Sequence, residues 1–282
     1  MTAILLDGNA LLEHVKDDLR TRVKALGERG ITPGLGTILV GDDPNSAAYI
    51  RGKRADSADV GMVSRHVELP ATASQTEVMS AIADLNDDPS VDAFIVQLPL
   101  PKGLDDQAAL DAIDPSKDAD GLHPVNLGRL MIGADGPRPC TPLGIQALLV
   151  HNDVPITGRH VVIVGRGLTI GRPLAVLLSL KEEHANATVT HCHTGTRDLA
   201  ALTRQADILI AAAGSPGIIQ PDMVKPGAAV VGAGMTMDGR RVVPDVDEEC
   251  AAVAGWITPR LGGVGPTTRA MLLRNTVDAA QR

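Results

Sequence analysis

The sequence predicts an α/β protein of two domains, each built on a parallel sheet. Three observations carry this. Short runs of Val, Ile, Leu and Ala alternate with helical patterns along most of the 282 residues, as in parallel strands covered by helices on both faces. A stretch dense in Pro, Gly and Asp, 114–142, interrupts the alternation near mid-chain and marks a domain junction. A glycine-rich turn follows the first strand of the second half. The length is enough for two domains that each bury a core.

Taken in order, the first half opens with a helical pattern over 9–28, followed by the strand GTILV (36–40). A helix over 44–60 comes next, with Asp43 suited to its N-cap, Pro44 to its first position and Gly61 to its end. The strand SRHVEL (64–69), a helix over 74–87 and the strand AFIVQL (93–98) complete this half. The junction, 114–142, reads as irregular backbone. Strands then recur at 160–165, 187–191, 207–214 and 228–234, spaced by helical segments. A terminal helix over 266–282 follows Pro266. The expected division is 1–140 and 141–266.

Composition excludes several classes. The net charge is −8, and Tyr49, Phe94 and Trp256 are the only aromatic residues. A nucleic-acid binder that stacks bases needs more rings and a basic excess. Cys140, Cys192 and Cys250 are far apart with no C-x-x-C pair, which argues against disulfides or cysteine-bound zinc and for a reducing cytoplasm. The N-terminus MTAILLDGNALLEHV has no signal-peptide pattern, and no run approaches the ~18 apolar residues of a membrane span. No metal site is expected: His191 and His193 have no further His/Asp cluster beside them and read as ordinary strand-end residues.

The segment VVIVGRGLTIGRPLAVLL places Gly165, Gly167 and Gly171 between a buried-type strand and an amphipathic helix. Glycines there let the backbone turn sharply and let a pyrophosphate approach the amides of a helix N-terminus. As the first turn of a βαβαβ series it indicates a Rossmann-type dinucleotide-binding domain, although a tight turn alone would also use glycine. An NAD site usually carries an acid at the end of the next strand. Here that strand runs into Cys192, His193, Thr194, Gly195 and Thr196, with Arg166 and Arg197 nearby. Hydroxyls and guanidinium groups attract a 2′-phosphate that a carboxylate would repel, so NADP is favoured. Gly214-Ser215-Pro216-Gly217 and Gly232-Ala233-Gly234-Met235 flank later strand ends, where simple turns explain them equally well.

In the first half, Tyr49 and Lys53 are spaced i, i+4 on the 44–60 helix, with Ser46 one turn earlier. A phenol beside a buried ammonium can exchange protons; spacing alone also fits a solvated lysine passing a half-buried tyrosine. Gln97 ends its strand and could orient a lysine or cap backbone, and D-A-D-G supplies Asp118 and Asp120.

Together the blocks VGDDPNSAAYIRGKRADSADVGM, FIVQLPLP, DPSKDADGLHPVNLGRL, PCTPLGI, VVIVGRGLTIGRPLAVLL, ATVTHCHTGT and LGGVGPTTRAMLL resemble the bifunctional methylenetetrahydrofolate dehydrogenase/methenyltetrahydrofolate cyclohydrolase family. The resemblance implies an N-terminal catalytic domain and NADP-dependent oxidation of 5,10-methylenetetrahydrofolate, then hydrolysis to 10-formyltetrahydrofolate. It implies Lys53 as the acid/base group held by Gln97, Tyr49 stacking on the substrate, and Asp120 binding the pterin. Ser46, Gly263 and Pro266 would line the substrate, and Cys140 would lie close by. Gly165, Arg166, Gly167, Thr194 and Met235 would contact NADP. It further implies a homodimer, a closing helix (267–282) that returns to the first domain, and Lys53 and Tyr49 facing the nicotinamide across a crevice. Arg51 and Arg54 are candidates for the anionic folate tail. The chain departs from the family at Gly167 (commonly Ser), Gly232 (Asp), Arg260-Leu261 (V-P) and Thr268-Arg269. Alternatives are a dehydrogenase without hydrolase activity and a non-catalytic nucleotide-binding protein of the same fold.

Overall fold

A computed structural model describes residues 3–42, 44–238 and 241–282, with backbone only for 44–48, 237, 238 and 241. The elements run β1 (Ile4–Leu5), α1 (Gly8–Gly27), β2 (Gly34–Val40), α2 (Pro44–Asp59), β3 (Val63–Leu69), α3 (Gln75–Asp87) and β4 (Ala93–Val96). Then come α4 (Asp106–Asp111), α5 (Pro124–Met131), α6 (Cys140–His151), β5 (His160–Val164), α7 (Gly171–Ser179), β6 (Thr188–Cys192) and α8 (Leu199–Thr203). The chain closes with β7 (Ile208–Ala211), β8 (Ala229–Gly232), β9 (Met235–Asp238), β10 (Arg241–Pro244), β11 (Trp256–Ile257) and α9 (Val264–Ala280).

The chain forms two compact units, Met1–Leu12 with Thr141–Thr268 and Glu13–Cys140 with Arg269–Arg282. The three-stranded unit has strand order β3-β2-β4, all parallel. Its core packs β2 and β4 against α3 through Ile38, Val78, Ile82, Leu85, Phe94 and Val96. The capping box Ser74/Glu77 starts α3: each side chain bonds the other's backbone N–H, satisfying two donors that the first turn would leave orphaned.

The six-stranded unit has order β1-β11-β8-β7-β5-β6 with parallel pairing throughout. Its core joins Val162, Val164, Leu209, Ala211, Val230 and Ile257. The strand order reverses between β5 and β7, where an open α/β sheet leaves a crevice at its carboxyl edge.

Two features differ from expectation. Residues 3–12 belong to the six-stranded unit, because β1 pairs with β11; a two-residue strand is too short to signal its partner in sequence. The junction is not wholly irregular: α5 is nucleated by the side chain of His123, which accepts the Val125 N–H, and by Pro124 at its first position. The Asp43 cap lies outside the described residues.

Candidate active site

In the three-stranded unit, α2 carries Tyr49 and Lys53, one turn apart. Their surroundings differ. Tyr49 is 46% exposed and Lys53 only 8%, so the phenol is open to a ligand while the amine is desolvated. Ser46 lies on this helix, but its side chain is outside the described residues.

Gln97 continues the β4 ladder, its N–H donating to Ile38 O at 2.9 Å. Its Nε2 donates to Leu98 O at 2.9 Å, which turns Oε1 to accept from Lys53 Nζ at 3.1 Å. A neutral amide thus anchors the amine without adding charge. Burial lowers the Lys53 pKa, and the Asp120 carboxylate opposes that shift. Burial in turn pushes Asp120 up, with Lys53 pulling it down and Asp118 adding repulsion. The two groups therefore sense one another's charge.

The two aspartates of D-A-D-G divide their roles. Asp118 is buried and accepts from Gly121 N at 3.0 Å, His123 N at 2.8 Å and Asn126 Nδ2 at 2.9 Å, so its oxygens are committed to the loop. Asp120 is left beside Lys53. The loop follows β4 through Phe94 N to Lys117 O at 2.8 Å and Ala119 N to Phe94 O at 3.2 Å. Gly121 has φ +71°, and a Cβ there would overlap the backbone of Arg138, so only glycine fits.

Sequence reasoning missed what holds this loop. Asn275 on α9 donates through Nδ2 to Ala119 O at 2.9 Å and Arg138 O at 3.0 Å. Cys140 Sγ donates to the same Ala119 carbonyl at 3.2 Å. Burial pushes the Cys140 thiol well above its usual range, so it acts as a neutral donor. No local motif flags Asn275, which lies 156 residues from Ala119. Arg51 and Arg54 line a separate surface pocket of about 330 Å³ with Ala55, Ala58, Met62 and Ser64; Lys53, Gln97 and Asp120 do not line it.

In the six-stranded unit, the turn after β5 has the shape a dinucleotide needs. Gly165 has φ +124°, and a Cβ there would overlap Ala212 O; one on Gly171 would overlap Gly165 O. These two glycines allow the tight turn and the close strand–helix packing. Nothing lies within 4 Å of a Cβ built on Gly167, so its backbone is open to a ligand. The first turn of α7 has no side-chain cap at Ile170; the Arg172 N–H donates to Gly167 O at 3.2 Å and the Leu174 N–H to Ile170 O at 2.9 Å, so this turn offers an anion the Gly171 amide. His191, on β6, contributes a ring nitrogen 2.7 Å from Gly165 O and steadies the turn. Arg166 and Thr194 are exposed, as is Met235 at 46%. These residues fit a dinucleotide with a phosphorylated ribose. Gly263 and Pro266 belong to this unit, Gly263 buried beneath Thr258 and Pro266 in the first turn of α9.

Among the described residues no group of His, Cys, Asp and Glu could hold a metal ion, and no helix is long and apolar enough to cross a membrane. A buried amine steered by an amide and facing a carboxylate can move protons. A glycine turn at an uncapped helix can hold a pyrophosphate.

Comparison with known proteins identifies the family. The tetrahydrofolate dehydrogenase/cyclohydrolase catalytic-domain model matches residues 6–120, and the NAD(P)-binding-domain model of the same family matches 139–282. The chain is 57% identical over 281 residues to the bifunctional protein FolD of Syntrophotalea carbinolica, covering 100% of this chain and 97% of that one. The bifunctional FolD dehydrogenase/cyclohydrolase of Campylobacter jejuni superposes with TM-score 0.94 at 42% identity, covering 99% of each chain. The Trypanosoma brucei enzyme, solved with NADP cofactor and an inhibitor, superposes with TM-score 0.93 at 39% identity, covering 100% of this chain and 98% of that one. With both family models matching in order and a relative identical at more than half of all positions, this chain belongs to the tetrahydrofolate dehydrogenase/cyclohydrolase family.

Proposed function

We propose that this chain oxidises 5,10-methylenetetrahydrofolate to the 5,10-methenyl cation with NADP and hydrolyses that cation to 10-formyltetrahydrofolate. The observation that carries the catalytic assignment is the desolvated Lys53 amine, held at 3.1 Å by Gln97 and set against Asp120. NADP, when bound, supplies the hydride acceptor. Gly165, Gly167 and the Gly171 amide at the start of α7 hold its pyrophosphate, Arg166 and Thr194 its ribose phosphate, and Met235 lies along its nicotinamide half.

Lys53 is the proton-transfer group. In hydrolysis a water oxygen adds to the methenyl carbon and loses a proton to the neutral amine. The carbon–N5 bond then breaks as Lys53 returns that proton to N5, and the remaining hydroxyl proton leaves as the formyl carbonyl forms. Gln97 keeps the amine aimed without a charge that would hold it protonated. Asp120 accepts hydrogen bonds from the pterin's amino and ring N–H groups, and exposed Tyr49 stacks on the aminobenzoyl ring. Ser46, on the same helix, completes the substrate contacts of this unit.

We further propose that the protein works in the cytoplasm as a homodimer; its three cysteines are free and buried, which suits a reducing compartment. One assay tests the chemistry. Absorbance of the methenyl product is followed with NADP, then with NAD, and its decay is measured without nucleotide. Formation with NADP and enzyme-dependent decay are expected. Formation without catalysed decay would leave a dehydrogenase alone, and binding of NADP with neither would leave a non-catalytic protein. Light scattering at a dimer mass is the test of assembly.

A further inference from the structure

The two glycine clusters that follow β7 and β8 are tied together by Asp245, a residue no motif singles out. Its side chain is fully buried. Oδ2 accepts the N–H groups of Ala213 at 2.6 Å and Gly214 at 2.9 Å, and Oδ1 accepts that of Ser215 at 2.8 Å. Three consecutive amides thus converge on one carboxylate, as they would on a bound anion. The Asp245 N–H donates to Gly234 O at 3.1 Å. A Cβ at Gly234 would fall on the carboxylate, so glycine there leaves room for the acid. Thr236 Oγ1 adds a bond to Gly214 O at 3.0 Å.

The place of this carboxylate gives it a role. The strand order β6-β5-β7-β8 reverses at β5, so a dinucleotide whose pyrophosphate lies on the β5 turn spreads to both sides. The half whose ribose meets the end of β6 is the adenosine half. The nicotinamide half therefore falls over the ends of β7 and β8, on the loops that Asp245 joins. We infer that Asp245 is a positioning residue for the nicotinamide half of the cofactor, setting the height and orientation of the loops at Ala213–Ser215 and Gly234. This rests on the dinucleotide reading above.

The test is Asp245→Asn. An amide offers one acceptor oxygen where the carboxylate offers two, so at least one loop N–H faces an NH2 group. A buried donor without an acceptor is costly, and the loop relaxes. We expect kcat for methylenetetrahydrofolate oxidation to fall about tenfold or more and the KM for NADP to rise. The affinity for 2′,5′-ADP, which carries only the adenosine half, should stay within about twofold. Methenyl hydrolysis, which consumes no nucleotide, reports that the variant has folded. Parent kinetics in the variant, or equal loss of NADP and 2′,5′-ADP binding, would overturn the inference; the latter would mean Asp245 serves only to fold the unit. If the variant does not fold, Thr236→Val decides: it removes one bond from the same loop, and the same split is expected at about two- to fivefold, with no split overturning it. Should the parent itself fail to oxidise methylenetetrahydrofolate, the functional reading falls, while titration of parent and variant with NADP and 2′,5′-ADP still judges Asp245.

Discussion

The two units prepare their ligands in opposite ways. In the three-stranded unit the site is made of side chains whose ionisation is bent by burial: Lys53 is pushed down, while Asp120 and Cys140 are pushed up. In the six-stranded unit the site is made of backbone, with glycines at 165 and 171 where any side chain would collide and an uncapped helix start beyond them. One region stores its function in protonation equilibria and the other in shape. Substitutions should therefore separate proton transfer from nucleotide binding.

The largest separation is expected from Lys53→Met. Removing a general acid/base group costs about 10²- to 10⁴-fold, so methenyl hydrolysis should nearly vanish while NADP affinity, read by titration, is kept. Hydrolysis at the parent rate would break the comparison at its centre. The converse is Gly165→Ala, which forces a side chain onto a φ of +124° and against Ala212 O. Strain of about 1–3 kcal/mol should weaken NADP binding about 10- to 100-fold, with hydrolysis retained.

A finer test uses pH. If the neutral amine of Lys53 accepts the water proton, hydrolysis climbs as pH rises through its pKa. That limb should lie below the ~10.4 of a free lysine, because burial lowers it. Gln97→Glu would place a carboxylate on the amine, favour the charged form and move the limb up by about one to three units. A limb that stays in place would mean that Gln97 does not govern the amine.

The smallest effect concerns a second buried charge on the same helix. Asp56 is paired by Arg269 at 3.3 Å and Lys16 at 3.5 Å, and Gly52 leaves space for the Arg269 guanidinium, which would lie 2.7 Å from a Cβ there. Asp56 Oδ2 is buried with no hydrogen bond, so it leans on that cation. Arg269→Met should cost about 1–3 kcal/mol in urea unfolding and leave the pH limb of hydrolysis unmoved, since Asp56 is paired where Lys53 is poised.

Strands of Val, Ile and Leu were legible because burial on both faces leaves a continuous apolar run, and β2, β4, β5, β7 and β8 all have that character. Tyr49, Lys53, Gln97 and Asp120 were legible through motifs, although nothing in their spacing says which is buried. Asp118 and Asp120 look alike in sequence, and only the backbone donors around Asp118 set them apart. β1 was hidden by its length of two residues. Asn275 and Asp245 were hidden because their partners are mainly backbone groups far along the chain, which carry no sequence signal.

Sequence alone determined the parallel α/β class and the glycine turn, since these depend on local periodicity and residue chemistry, and it supplied the candidates for proton transfer through motifs. Tertiary structure decided which amine loses its water, which aspartate is spent on backbone and which carboxylate joins the two distal loops. Desolvation and hydrogen bonding act through space, between residues that the chain itself keeps far apart.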